Sequence, residues 1–259
     1  MLGKLLKYDL SWIINKYLVI YYVLTLVICI ITRVLSNFTD VVIVNIIYLI
    51  LRGFTVSAFV SVLINAFIRI WIRFKNNFYK DEAYLTHTLP VEKSTLVSSK
   101  IWASVITCAC TLIVILVGLL IVFLDSNLID LIRDVFSKGN YVSSMIFLVF
   151  IAFFEIFCMM LCGFVGIVLG YKRNSLKDAY SVIYGLGVYF VVQLIVLIVI
   201  YLLSLVISDV RLFFGNSILD ISDKSMSIFS FVCMVIYLVL NSVLIWIIRS
   251  NFLKGVNVD

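Results

Sequence analysis

The sequence predicts an all-α integral membrane protein with six transmembrane helices. Three observations lead there. Of the 259 residues, 64% are hydrophobic and only 13% charged, and the mean hydropathy is +1.21; a soluble domain of this length cannot hide so much apolar surface. The apolar residues gather into six runs, at 17–35, 41–70, 101–124, 141–169, 179–207 and 226–248. Each reaches the roughly 18 residues that a helix needs to cross the bilayer core. None alternates over about ten residues as a barrel strand would. Helix remains, because lipid offers backbone groups no water to bond.

The opening stretch, LGKLLKYDLSWIINKY, covers most of residues 1–16 and reads as an amphipathic helix. Leu2, Leu5, Leu6, Leu10, Trp12 and Ile13 share one helical face, and Lys4, Lys7, Ser11 and Asn15 share the other. Such a helix lies along the inner membrane surface. Asp9 projects from the middle of the apolar face. Either it finds a base, or the helix packs against protein there. No cleavable signal peptide is expected, since the first run lacks a small-x-small site at its end, so the first span stays in the mature chain.

The second run, 41–70, makes about 45 Å of helix, against a hydrocarbon core of roughly 30 Å. It either tilts or projects, with Arg69, Arg73 and Lys75 on the projecting end. A polar stretch follows at 76–100, containing FYKDEAYLTHTLPVEKSTLVSSK, the sole proline Pro90 and the sole histidine His87. Proline suits a helix start, having no N–H to leave unpaired. A helix is expected from about Pro90 through Lys100 into the third span, and a shorter one over 80–87. Together they form a two-helix elbow. On the opposite side, 125–140 and 208–225 are expected to hold short helices. The latter carries Leu212, Phe213, Phe214, Ile218 and Leu219. It either dips into the outer leaflet or lies as a surface loop.

Charge placement orients the chain. With the N-terminus inside, 14 of the 20 Lys and Arg residues fall on the cytoplasmic side, five fall outside, and Arg52 lies within a span. Lys and Arg favour the cytoplasmic face, so both termini are expected in the cytoplasm of a cell-membrane protein. The net charge of +6 then points to anionic lipid headgroups rather than nucleic acid. All six cysteines, Cys29, Cys108, Cys110, Cys158, Cys162 and Cys233, fall in apolar runs without metal spacing. They read as small buried hydrophobes.

Catalytic machinery is missing from the sequence. No HExxH, GxSxG or GxxxxGK[ST] occurs, so zinc proteolysis, nucleophile-elbow hydrolysis and phosphate-loop ATP hydrolysis are excluded by those routes. No metal and no cofactor are expected on this chain. Two ionisable residues lie inside spans, Arg52 and Glu155, and such residues are functional candidates. They sit roughly 16 Å and roughly 20 Å down their helices. Asn45, Tyr48, Arg52, Thr55 and Phe59 form one helical stripe; Cys158, Cys162, Gly166 and Gly170 continue the Glu155 face. Small residues mark close helix contact. The expectation is an Arg52–Glu155 ion pair within the bundle, acting in packing or as the lining of a substrate route. The alternative has Arg52 snorkelling outward and Glu155 neutral.

The segment FYKDEAYLTHTLPVEKSTLVSSKI after a long second span resembles the signature of ABC transporter permeases of the type 2 export class, particularly the small Gram-positive form. The matching positions are Asp81, Glu82, Tyr84, Leu85, Thr86, Thr88, Leu89, Pro90, Ser99 and Lys100. The opening LLKYDL is also similar, and Ala83 stands where the family has Gly. The resemblance implies that the elbow bears a cytoplasmic coupling helix and that residues 1–16 form a connecting helix. It implies docking on a separate ABC ATPase subunit, which holds the ATP and Mg. Tyr84 and Leu85 would be anchors there, with Asp81, Glu82, Thr86, His87 and Pro90 as further contacts. It also implies a second permease chain and export of an amphipathic, peptide or lipid-like substrate. A different reading is a non-transporting scaffold or sensor that recruits a cytoplasmic partner.

The orientation has a direct check. A membrane-impermeant thiol reagent added to intact cells is expected to leave a Tyr84→Cys variant unlabelled until the cells are broken; labelling before lysis would invert the topology.

Overall fold

The computed structural model describes residues 2–38, 41–80, 82–88, 90–123, 141–207, 210–211 and 223–253, with backbone alone at 87, 141, 142, 223 and 253. The regular elements among them are helices: α1 (Leu2–Ile13), α2 (Lys16–Ser36), α3 (Val42–Tyr79), α4 (Ala83–Thr88), α5 (Lys93–Phe123), α6 (Tyr141–Gly170), α7 (Lys177–Val206) and α8 (Asp223–Leu253). Six of them, α2, α3, α5, α6, α7 and α8, are long and apolar enough to cross a membrane. The protein is an all-α, multi-pass membrane protein.

Several helices outrun the apolar runs that predict them. The second span continues to Tyr79, giving 38 residues, about 57 Å at the helical rise. Arg69, Arg73 and Lys75 thus stay helical. The third begins at Lys93, three residues after Pro90. Glu92 explains the later start. Its carbonyl accepts from Thr95 N at 2.9 Å and Leu96 N at 3.2 Å, and its carboxylate accepts from Ser94 Oγ at 3.2 Å. Glu92 thereby caps the helix and leaves Pro90 and Val91 outside it. The short helix expected over 80–87 forms as α4, shifted toward Thr88. The expected helices at 125–140 and most of 208–225 lie outside the described residues.

The chain separates into two compact units. The first comprises 1–76 with 90–131, and the second 77–89 with 132–259. In the first, α1 and α2 pack on α5. Asn15 caps α2 by accepting from Tyr17 N at 3.0 Å. Along the α2–α5 seam, Tyr22 Oη and Thr111 Oγ1 are hydrogen-bonded at 2.8 Å. Thr32 meets Thr55 of α3 at 3.0 Å; one hydroxyl donates to the other, which accepts that bond and donates to the carbonyl one turn back on its own helix. Hydroxyls paired in this way hold helices together without leaving a polar group bare in lipid. Gly118 admits its neighbours closely, since a Cβ there would lie 2.6 Å from the Phe59 ring and 3.1 Å from Cys29 Sγ. The outward face of α2 exposes Val19, Ile20, Val23, Leu24, Val27 and Ile30. A face of that composition is a lipid face.

In the second unit, α6 lies against both α7 and α8. The small residues of the Glu155 face do meet a neighbouring helix. A Cβ on Gly166 would fall 2.5 Å from Gly185 N and from Ser181 O, and Gly170 sits directly against Ser181. Backbone therefore touches backbone along the α6–α7 seam, as small residues permit. The cysteines are free thiols, all buried except the half-buried Cys110.

Contact with backbone cannot be relieved by a rotamer change. Gly166→Ala is expected to lower the stability of the detergent-purified protein by about 1–3 kcal/mol through overpacking. Gly187→Ala faces open space and is expected to be neutral or to gain up to about 1 kcal/mol from helix propensity. Thermal unfolding of the two variants side by side separates them.

Candidate functional site

The elbow is built by local hydrogen bonds. Asn77 Nδ2, on the last turn of α3, donates to the Glu82 carboxylate. The Glu82 carbonyl then accepts from Thr86 N at 2.9 Å and Thr86 Oγ1 at 2.8 Å, and Ala83 N donates to Lys80 O at 2.8 Å. These bonds wind α4 as a single short helix whose Ala83 face is buried. Its other face presents Tyr84, 76% exposed, and Leu85, 67% exposed. Thr86 is half-buried and Pro90 exposed. Glu82 is thus a fastening residue of the elbow itself. Asp81, Leu89 and the His87 side chain lie outside the described residues.

Residues 171–178 hold the elbow within the second unit. Lys80 Nζ pairs with Asp178 Oδ2 at 3.0 Å, and Tyr171 Oη donates to Asp178 Oδ1 at 2.8 Å. The Tyr79 and Tyr171 rings lie 4.7 Å apart, and Phe78 meets Phe252 of α8 at 4.4 Å. Burial pushes the Tyr171 phenol above its ordinary range, and its hydrogen bond to Asp178 adds to the rise. The hydroxyl therefore remains a donor at every physiological pH. Leu176 precedes α7 with φ of 51°, the left-handed region that side chains with a Cβ rarely adopt. A cavity of about 510 Å³ opens here, lined by Tyr79, Lys80, Tyr171, Leu176, Lys177, Asp178 and Ala179.

In the first unit, Asp9 resolves both ways at once. It is 2% exposed, packed against protein, and it also finds bases. Arg73 Nε lies 3.1 Å from Oδ1, Lys100 Nζ pairs with the same oxygen, and Ser99 Oγ donates to Oδ2 at 3.1 Å. The Arg73 guanidinium also lies over the Trp12 ring, 5.4 Å from its centroid. Arg69 donates to Ile13 O at 3.4 Å. The N-terminal helix is therefore bolted to α3 and α5 through the residue that spoils its amphipathic pattern. Asp9 of the opening LLKYDL stretch and the Ser99–Lys100 pair, 90 residues on, meet in this cluster.

Arg52 and Glu155 lie in different units. Arg52 is exposed, with its guanidinium over the ring of Phe123, the last residue of α5, at 5.7 Å. That level suits a side chain reaching for the interface. Glu155 is half-buried. Its Oε1 accepts from Gln193 Nε2 at 2.7 Å and from Tyr189 Oη at 3.4 Å, both on α7. Asn241 of α8 donates to the carbonyl of Phe154 at 3.1 Å.

Sequence reasoning passes over Asn77, Lys80, Tyr171 and Asp178 at the elbow, and Gln193 and Asn241 in the spans. Gln193 and Asn241 do carry a signal, as amides inside apolar runs. The Lys80–Asp178 pair carries none, because its partners lie 98 residues apart. Comparison with protein-family models, curated proteins and solved structures finds no match.

The two ion clusters differ in burial and hence in what they contribute. Asp9→Ala is expected to cost about 3–5 kcal/mol, the range for removing one partner of a buried ion pair. Lys80→Ala breaks a well-exposed pair and is expected to cost about 0–1 kcal/mol. Unfolding midpoints of both variants check the contrast; equal losses would contradict it.

Proposed function

We propose that this chain is the membrane-spanning permease subunit of an ATP-driven exporter of the ABC type 2 class, set in the cell membrane with both termini in the cytoplasm. The observation that carries this reading is α4. It is a short helix on the lysine- and arginine-rich side of the chain, fastened at its base, that turns an aromatic and an aliphatic side chain outward. Exposed apolar anchors ringed by polar groups are what a protein partner grips. Without a phosphate loop in the sequence, the energy source belongs to that partner, an ABC ATPase subunit.

In this reading Tyr84 and Leu85 fill a groove on the ATPase. Asp81, Thr86, His87 and Pro90 act at the rim, where charge and shape set orientation more than affinity. Two permease chains work with two ATPase chains. ATP-driven closure moves the elbows and shifts the bundles between inward- and outward-open states, which nucleotide achieves only by favouring one state. The Lys80–Asp178–Tyr171 linkage supplies a path from a displaced α4 to the junction of α6 and α7. The cargo class is amphipathic, peptide or lipid-like, moved outward by alternating access.

Copurification decides the matter. The wild-type chain, drawn from membranes of its own host, is expected to bring down an ATPase. The double variant Tyr84→Asp, Leu85→Asp is expected to lose at least about tenfold of it, the effect of removing hot-spot anchors. Undiminished recovery, or no ATPase with the wild type, removes the docking claim. Capture of a partner without ATPase activity would favour a recruiting scaffold instead.

A further inference from the structure

The short connection at 171–176 joins two helices long and apolar enough to cross the membrane, α6 and α7. It therefore lies at a membrane surface. Three bases, Lys172, Arg173 and Lys177, stand there against one acid, Asp178, and Asp178 is already engaged by Lys80 and Tyr171. Arg173 is exposed, yet its side chain is held in place. Its Nε and Nη2 both donate to Tyr184 Oη, at 3.1 and 2.9 Å. The guanidinium also lies over the Tyr180 ring, 5.7 Å from its centroid, and the Tyr180 and Tyr184 rings stack at 6.0 Å. One edge and one face of the cation are thus taken by neutral groups. Among the described residues, no carboxylate pairs with it.

A guanidinium presents its donors in a fixed fork. The bonds to Tyr184 use the Nε–Nη2 edge and leave the Nη1–Nη2 edge, the one that grips phosphate by parallel N–H groups. Tyr184 Oη accepts both bonds and keeps its own hydrogen to donate. Every polar group offered here is a donor, so the complement is an anion with several oxygens. Holding an exposed arginine in one geometry costs side-chain entropy, and a side chain already fixed loses less of it on binding. Location selects the anion. At the end of two spans the abundant oxyanion is the phosphate of a phospholipid, and tyrosine rings favour that same level. Toward the bilayer interior, steps of three and four along α7 from Tyr184 lead to Gly187, Val191, Leu194 and Ile198, all exposed. A Cβ on Gly187 would meet nothing within 4 Å. This strip leaves room for acyl chains beneath a bound phosphate. The surplus of bases favours an anionic headgroup over a zwitterionic one.

We propose that Arg173, with Tyr180 and Tyr184, forms a binding site for the phosphate of an anionic phospholipid whose acyl chains lie along the Gly187 face of α7. The site is independent of the export reading, because its test needs only the purified chain. Full-length protein in detergent, stripped of lipid, is titrated with phosphatidylglycerol or phosphatidylcholine, and bound lipid is read by native mass spectrometry. Phosphatidylglycerol is expected to saturate and to bind at least about fivefold more tightly, the worth of a basic residue beside an anionic lipid. Arg173→Ala is expected to weaken it by about tenfold or more, as loss of hydrogen bonds to a charged group does. Arg173→Lys keeps the charge without the fork and is expected to restore only part of that loss. Lys7→Ala removes an equally exposed charge from α1 and is expected to bind as the wild type does. Equal losses in Lys7→Ala and Arg173→Ala would show general attraction and overturn the site. Full binding by Arg173→Lys would show that charge alone acts, and would overturn it too. Displacement of the lipid by millimolar inorganic phosphate would put a free anion there and overturn it equally. The comparison of the two lipids on the wild type does not depend on how the variants fold, and equal affinity for both refutes the proposal.

Discussion

A charge sealed from water has to find its counter-charge within a few ångströms, and Asp9 shows how much structure follows from that demand. Placed on the apolar face of an amphipathic helix, its carboxylate would be costly against lipid. Instead it draws Arg73 from α3 and Lys100 with Ser99 from α5. Three helices that are remote in sequence are thereby registered against one another at a single point. The apolar side chains of α1 alone would let it slide along its neighbours, since hydrophobic contact has no direction. The ion cluster supplies the direction.

Within the spans, helices are held to one another by neutral groups and close approach. Lipid tails are as apolar as leucine, so burial does little to hold one span against another. The second unit relies on close approach. Gly166 and Gly170 let the backbones of α6 and α7 touch, and that approach fixes the relative register of the two helices. Glu155 can then reach Gln193 and Tyr189 on α7. The first unit uses threonine and tyrosine hydroxyls for the same end, with Thr32–Thr55 and Tyr22–Thr111 bridging helices.

The spans were legible in the sequence because hydropathy over a bilayer-length window reports directly on solvent. Their ends were less so. Polar residues such as Lys75 and Asn77 end an apolar run without ending a helix, so α3 continues to Tyr79. The close seam at Gly166 and Gly170 was also legible, because only small residues permit it. The partners of Glu155 were not. A helix that is apolar on every side has no face for periodicity to single out, so the sequence does not say which span Gln193 or Asn241 turns toward. Asp9 was visible as an anomaly, but choosing Arg73 and Lys100 as its partners required coordinates. The elbow was found from Pro90 and the change in polarity; its fastening to Asp178 was not.

The order of the chain interleaves the two units. Residues 77–89 belong with the second, yet the chain returns to the first at 90 before most of the second has been made. Lys80 precedes its partner Asp178 by 98 residues. A ribosome synthesising this protein therefore delivers the elbow long before the residues that anchor it. The α5 and α6 spans must both be inserted in the interval. A message cut after residue 131 would therefore supply the whole of the first unit, with the elbow carried inside it and its anchor Asp178 never made.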